Sequence, residues 1–215
     1  MSPLGVFGGT FDPIHFGHLR TAFELMQSLE LGEVRFVPAG DPPHRGMPAC
    51  DPMRRLELVR AATADQAGFL VDDRELRRSG PSYTVTTLEE LRAEMPARPI
   101  CLLVGMDAFL GLPTWHRWRD LLELSHLVVA HRPGWPAPAG GVLAGLLAER
   151  GADDAAALRT ECAGRILVQP VTPLEISSTA LRELLASGRD PRYLLPDPVR
   201  EIVRVTACYA RTTER

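Results

Sequence analysis

The stretch from Leu4 to Gly40 constrains the fold more than any other part of the chain. Leu4–Phe7 is a short apolar run stopped by Gly8-Gly9, the length of a buried strand. Leu19, Ala22, Phe23, Met26 and Leu29 then recur at helical spacing, with Gly32 as the expected stop, and VRFVPAG reads as a second strand. Strand, loop, helix and strand in so short a span make a βαβ unit, with parallel strands and a right-handed crossover.

The alternation continues to the end of the sequence. Asp51-Pro52 supplies an N-cap and an N1 proline for a helix through Ala64, and FLVDD follows as a strand. Next come a helix over TVTTLEELRAEM, a strand over PICLLVG, a helix over WHRWRDLLEL and a strand over HLVVAHRPG. Residues 133–141 read as a surface loop, followed by an Ala/Gly-rich helical region, the strand RILVQPV and a last helix opened by Asp197-Pro198. In that helix Val199, Ile202, Val203 and Val205 are the apolar positions. The prediction is an α/β fold, a Rossmann-like doubly wound parallel sheet whose ligands bind at the C-terminal ends of the strands. With no repeat and no linker, residues 1–215 form a single domain, and 177–215 form a small helical subregion of it.

A chain of 215 residues with 45% hydrophobic content can bury a substantial core. Its net charge of -3 argues against broad nucleic-acid or anionic-membrane binding, although a small anionic ligand needs only one local site. No window approaches a membrane span and no leader pattern is present, so the expected compartment is the cytoplasm. Cys50, Cys101, Cys162 and Cys208 lie far apart, which suits buried reduced thiols better than a zinc site or a disulfide framework. All 24 basic residues are arginine. Without lysine, phosphate chemistry must use arginine, histidine, backbone N–H groups or a metal.

The loop GGTFDPIHFGH then becomes informative. Gly8 and Gly9 let backbone N–H groups approach a ligand, although the spacing is not that of a dinucleotide-binding fingerprint. His15 and His18 fall in the first turn of the following helix, where i and i+3 side chains share a face and the helix offers unpaired N–H donors and a positive dipole end. That combination suits a polyphosphate. A metal reading of H-x-x-H lacks the zincin spacing and an evident third ligand.

GGTFDPIHFGH resembles the signature of the H-x-G-H nucleotidyltransferase superfamily, and Ile176-Ser177-Ser178-Thr179 with Arg182 resembles its second signature, I-S-S-T-x-x-R. The second segment has its own logic, since a Ser-Ser-Thr cluster can cap a helix whose N–H groups and arginine receive phosphate. Five further segments resemble the bacterial nicotinate mononucleotide adenylyltransferases: PPHR at 42–45, SYTVTTL at 82–88, LVGMD at 103–107, LPTW at 112–115 and AHRPG at 130–134.

The resemblance implies an enzyme joining ATP and nicotinate mononucleotide into deamido-NAD and pyrophosphate. Mg²⁺ would be held mainly by ATP phosphates and water. It implies catalytic roles for His15, His18 and Arg182. ATP would be bound by these together with Gly8, Gly9, Thr10, Phe11, Gly105, Asp107, Ile176, Ser177 and Ser178. The mononucleotide would meet Ala39, His44, Arg45, Tyr83, Thr84, Asp107, Trp115 and Arg132, with Trp115 stacking on the pyridinium ring. Trp118 is assigned to packing. Small molecules are the expected partners, and assembly into homo-oligomers is left open.

The chain departs from the family where an asparagine is expected after the second strand. It reads Pro38-Ala39-Gly40-Asp41, so backbone groups of Ala39 and Gly40 are the expected substitutes. Competing readings are another superfamily member such as a pantetheine-phosphate adenylyltransferase, a nucleotide-binding regulator without turnover, and a metal-dependent hydrolase.

Overall fold

The computed structural model, which describes residues 1–42, 47–131, 134 and 136–210, contains all six expected strands. They are β1 (Leu4–Gly9), β2 (Glu33–Pro38), β3 (Phe69–Val71), β4 (Ile100–Gly105), β5 (His126–His131) and β6 (Ile166–Pro170). They form one sheet in the order β3-β2-β1-β4-β5-β6, with every neighbouring pair parallel.

Period-two alternation sends successive side chains to opposite faces, so one sheet carries two cores. Val34, Phe36, Cys101, Leu103 and Val128 meet α1 (Phe16–Ser28), α2 (Pro52–Thr63) and two late helices. Leu4, Val6, Ile100, Leu102, Leu127 and Val129 meet the helices of the other face. In chain order the helices between α2 and the late pair are α3 (Arg74–Arg77), α4 (Thr84–Glu94), α5 (Met106–Leu110), α6 (Leu121–Leu124), α7 (Gly141–Arg150) and α8 (Ala157–Thr160), of which α8 places Leu158 in the cluster of α1 and α2. The late pair are α9 (Ser178–Ala186) and α10 (Asp197–Thr206), whose Leu181, Val199 and Val203 join the cluster shared with α1 and α2. Gly134 and residues 136–140 form neither helix nor strand. Among the described residues no helix is long and apolar enough to cross a membrane.

Four local expectations are corrected. α1 ends at Ser28, and Glu30, at φ 52°, takes the left-handed turn expected of Gly32. The amides of Glu30 and Leu31 return to Gln27 O and Met26 O in a Schellman arrangement, forced by burial of both Leu29 and Leu31. WHRWRDLLEL is not one helix: Arg117 at φ 49° interrupts it, and only a 3₁₀ turn at Trp118–Asp120 and the four-residue α6 are helical. The break lets Leu112, Trp118, Leu121 and Leu122 all reach the core. Val205 is exposed, because the buried stripe of α10 follows Val199 and Val203 at i, i+4. Cys162 is an exposed thiol on the approach to β6, whereas Cys50 and Cys101 are buried as expected and Cys208 is partly so.

Candidate active site

The sheet opens where its strand order reverses. β1 pairs with β2 along its whole length to Gly9↔Pro38, but its ladder with β4 ends at Val6↔Leu102. Beyond that point the C-terminal ends of β1 and β4 part, making the crevice expected of a doubly wound sheet. Gly8 faces this opening: a Cβ placed there would meet nothing within 4 Å. Across from it, Gly105 caps the short α5, and Asp107 stands exposed in the first turn of that helix.

The two histidines have different tasks. His15 is the N-cap of α1, with extended backbone, and its ring is buried. His18 is partly exposed, and the rings stack with centroids 3.7 Å apart. The His15 backbone N–H donates to His18 Nδ1 at 3.3 Å, which places the proton of a neutral His18 ring on Nε2. Gly17 makes this packing achievable, because a Cβ there would lie 2.9 Å from His15 Nδ1. Phe11 is buried against Phe7 and Phe36 and meets the edge of His18 at 5.2 Å. Its ring therefore supports His18, and Thr10 presents its carbonyl inward to Arg55 at 2.8 Å.

The second motif docks directly on the first. Ser177 caps α9 by accepting from the Ala180 N–H at 3.1 Å, as the sequence predicts. Ser178 Oγ donates to Pro13 O at 3.0 Å, and Arg182 Nη1 donates to Asp12 O at 2.8 Å. The carbonyl of Ile176 lies 3.5 Å from the position a Gly17 Cβ would take. The N-termini of α1 and α9 are thus joined through the 12–13 turn, with Arg182 a third exposed beside them. Two helix ends and an arginine make a cradle suited to several phosphate oxygens.

On the other side of β1, the β2 loop is shaped by internal bonds. The Ala39 N–H donates to Gly9 O, and the Gly40 and Asp41 N–H groups both donate to Ser82 Oγ, at 2.9 and 3.2 Å. These donors are committed within the protein, and the Ala39 and Gly40 carbonyls accept from Arg55. Tyr83 caps α4, Thr84 begins it, and the Tyr83 ring stacks on His116 at 4.2 Å. Trp115 is partly buried at the end of a 3₁₀ turn and packs on the core edge, while Trp118 is buried in it. His44, Arg45 and Arg132 lie outside the described residues. Among the described residues no three His, Cys, Asp or Glu side chains converge as a metal site.

Residues 6–184 match the Cytidylyltransferase-like family. A protein of Aeromonas salmonicida described as a "probable nicotinate-nucleotide adenylyltransferase" is 50% identical over 208 residues, covering 97% of each chain. One of Halorhodospira halophila with the same description is 53% identical over 200 residues, covering 93% of this chain and 92% of the relative. The chain belongs to the nicotinate-nucleotide adenylyltransferase family. The solved nicotinic acid mononucleotide adenylyltransferase of Plasmodium falciparum, complexed with NaAD, shares the fold at a TM-score of 0.75 and 13% identity, covering 97% of this chain and 98% of its own.

Within this adenylyltransferase-family architecture, three buried charges escaped motif-based inspection. Arg55 is fully buried and donates to Thr10 O, Ala39 O, Gly40 O and Cys50 O, tying together the ends of β1 and β2. Burial lowers its pKa while the charge of Asp12 opposes that effect. Its signal in the sequence is an arginine on the apolar stripe of α2, in register with Leu58, Val59 and Ala62. Asp12 accepts from Tyr209 OH and from the Ala49 N–H, each at 2.8 Å, and burial with the Asp12 charge pushes the Tyr209 phenol up. Glu75 is buried on α3, a four-residue helix too short for periodicity to reveal. Burial raises its pKa, opposed by hydrogen bonds from Thr87 and Ser82 and by the charge of Arg78.

Proposed function

We propose that this protein transfers the adenylyl group of ATP to nicotinate mononucleotide, forming deamido-NAD and pyrophosphate, a step of NAD biosynthesis carried out in the cytoplasm. The observation that carries this reading is the docking of Ser178 and Arg182 onto the 12–13 turn, which sets two helix N-termini beside the paired histidines at the open end of β1. The acceptor is supported by the half-buried Tyr83, Thr84 and Trp115 on the far side of the crevice, aromatic and hydroxyl groups suited to a flat heteroaromatic acid.

An oxygen of the mononucleotide 5′-phosphate attacks the α-phosphorus in line. The bond from that phosphorus to the bridging oxygen breaks, and pyrophosphate leaves with the electron pair. Both reactants are anions, so catalysis consists of alignment and charge stabilisation. His18 donates from Nε2 toward the phosphate bearing the growing charge, with His15 stacked against it. The Ser177-Ser178 end of α9 and Arg182 hold the outer phosphates, and Gly8-Gly9 lets the triphosphate lie against the strand end. Asp107 is placed for a ribose hydroxyl. Mg²⁺ bound with ATP would be held mainly by phosphate oxygens and water and would supply charge neutralisation there.

The test is to incubate the protein with ATP and Mg²⁺ plus nicotinate mononucleotide, nicotinamide mononucleotide or pantetheine phosphate separately, and to measure pyrophosphate and the adenylylated product. Equimolar deamido-NAD and pyrophosphate with nicotinate mononucleotide is the expected result. Product with pantetheine phosphate alone would reassign the acceptor, and phosphate release without any acceptor would make the protein a hydrolase.

A further inference from the structure

Trp115 is followed by two residues that fasten its segment to α4. The His116 ring lies on the ring of Tyr83, the residue that caps α4, with centroids 4.2 Å apart and planes within 26°. One residue on, Arg117 Nη1 pairs with Glu89 of α4 at 2.8 Å, and its Nη2 pairs with Asp120 at 2.7 Å. Arg117 holds a left-handed backbone, φ 49° and ψ 40°, which costs an arginine free energy and persists only where surrounding contacts determine it. On the other side of Trp115, Leu112 is buried and its carbonyl accepts the Trp115 N–H at 2.9 Å. Trp115 therefore stands between two anchored points, and both it and Tyr83 pack on the same apolar cluster. His116 is exposed, so the core does not require its ring; what the ring contributes is the stack.

We propose that His116 is a positioning residue for the mononucleotide, its ring stacked on Tyr83 so that Tyr83 and the adjoining Trp115 are set for the pyridine ring before the ligand arrives. This rests on the adenylyltransferase reading. Tyr83 is only half-buried, and a loose side chain there would have to be ordered at the binding step, which weakens binding. The Arg117–Glu89 pair, exposed on both sides, adds little by itself; its part is to hold the turn that presents His116 to Tyr83. The role belongs to a flat ring and needs neither a charge nor a nitrogen lone pair.

Four variants test it by steady-state kinetics for both substrates. His116→Ala should raise the KM for nicotinate mononucleotide about three- to tenfold, the scale of ordering one side chain, with the KM for ATP and kcat within about twofold because the ATP cradle is built from other elements. His116→Phe keeps a flat ring and should restore the KM to within about twofold of the wild type. Tyr83→Ala should raise the same KM, and the His116→Ala/Tyr83→Ala double variant should be no worse than Tyr83→Ala alone, since His116 acts through Tyr83. Because His116 is exposed, the thermal midpoint of its variants should stay within a few degrees of the wild type. An unchanged mononucleotide KM in His116→Ala, or equal rises in both KM values, would overturn the proposal. So would a His116→Phe protein as impaired as His116→Ala, which would make the imidazole itself a ligand contact, or an additive double variant, which would separate it from Tyr83. A wild type that forms no dinucleotide from nicotinate mononucleotide removes the adenylyltransferase reading and this proposal together, whereas dinucleotide formed with a normal KM by His116→Ala removes the proposal alone.

Discussion

At the residue scale, the two stacked histidines divide a structural and a proposed chemical role between them. His15 shapes the turn as a buried cap, and its backbone N–H fixes the ring of His18. His18, partly exposed, is the ring to which the proposed mechanism gives the active role. Replacing His18 with alanine should therefore lower kcat by at least about a hundredfold, the scale of losing one charge-stabilising donor, with little change in KM for either substrate. The thermal midpoint of the variant should stay within a few degrees of the wild type. Turnover close to normal in a purified, folded His18→Ala protein would remove His18 from the chemistry. The pair was legible in the sequence because H-x-G-H at the start of a helix leaves a local pattern. The buried partners were not, since Asp12, Glu75 and Tyr209 act through contacts with residues distant in the sequence, and no periodicity encodes those.

At the scale of elements, the strands and long helices could be read from apolar spacing, and the Asp51-Pro52 start of α2 appears as expected, with Asp51 accepting from the Arg54 N–H at 3.0 Å. The misread elements were short. α3 and α5 have too few residues to show a period, and the region after Trp115 contains a left-handed Arg117 that a helical pattern does not anticipate. α2 matters for more than its packing, because Arg55 carries the loops of β1 and β2 on one guanidinium. Replacing Arg55 with methionine keeps most of the side-chain volume but strands those carbonyls and the nearby Asp12 charge. Stability should fall by about 3–5 kcal/mol, the range for breaking a buried charge arrangement, measured as a lowered urea midpoint. A loss under about 1 kcal/mol would mean that water replaces the guanidinium without difficulty.

For the whole molecule, the acid side of the stability curve contains a defined histidine contribution. His126 is fully buried at the start of β5, accepting from the Arg165 N–H at Nδ1, 3.1 Å, and donating from Nε2 to Glu161 O at 3.0 Å. The bond at Nδ1 requires the neutral ring, because a protonated Nδ1 cannot accept. Burial pushes its pKa down, assisted by the charges of Arg92 and Arg165 and opposed by Glu161. The unfolded chain takes up this proton near pH 6.5, while the folded chain resists until lower pH. The stability it contributes is complete above about pH 6.5 and is lost as pH falls from there through the folded value. Urea midpoints between about pH 7 and pH 5 should fall more steeply in the wild type than in His126→Gln, and equal slopes would assign that dependence to other groups. A last consequence concerns time. The 12–13 turn is held by Ser178, Arg182 and Tyr209, which follow it by 165, 170 and 197 positions. During synthesis both histidines leave the ribosome long before any of these anchors, so a nascent chain halted before Ser178 has its βαβ unit, its imidazoles and the Ala49 bond to Asp12 but lacks the three later anchors of the turn. The cradle between α1 and α9 is thus among the last features to form, and the proposed activity would arrive only with completion of the fold.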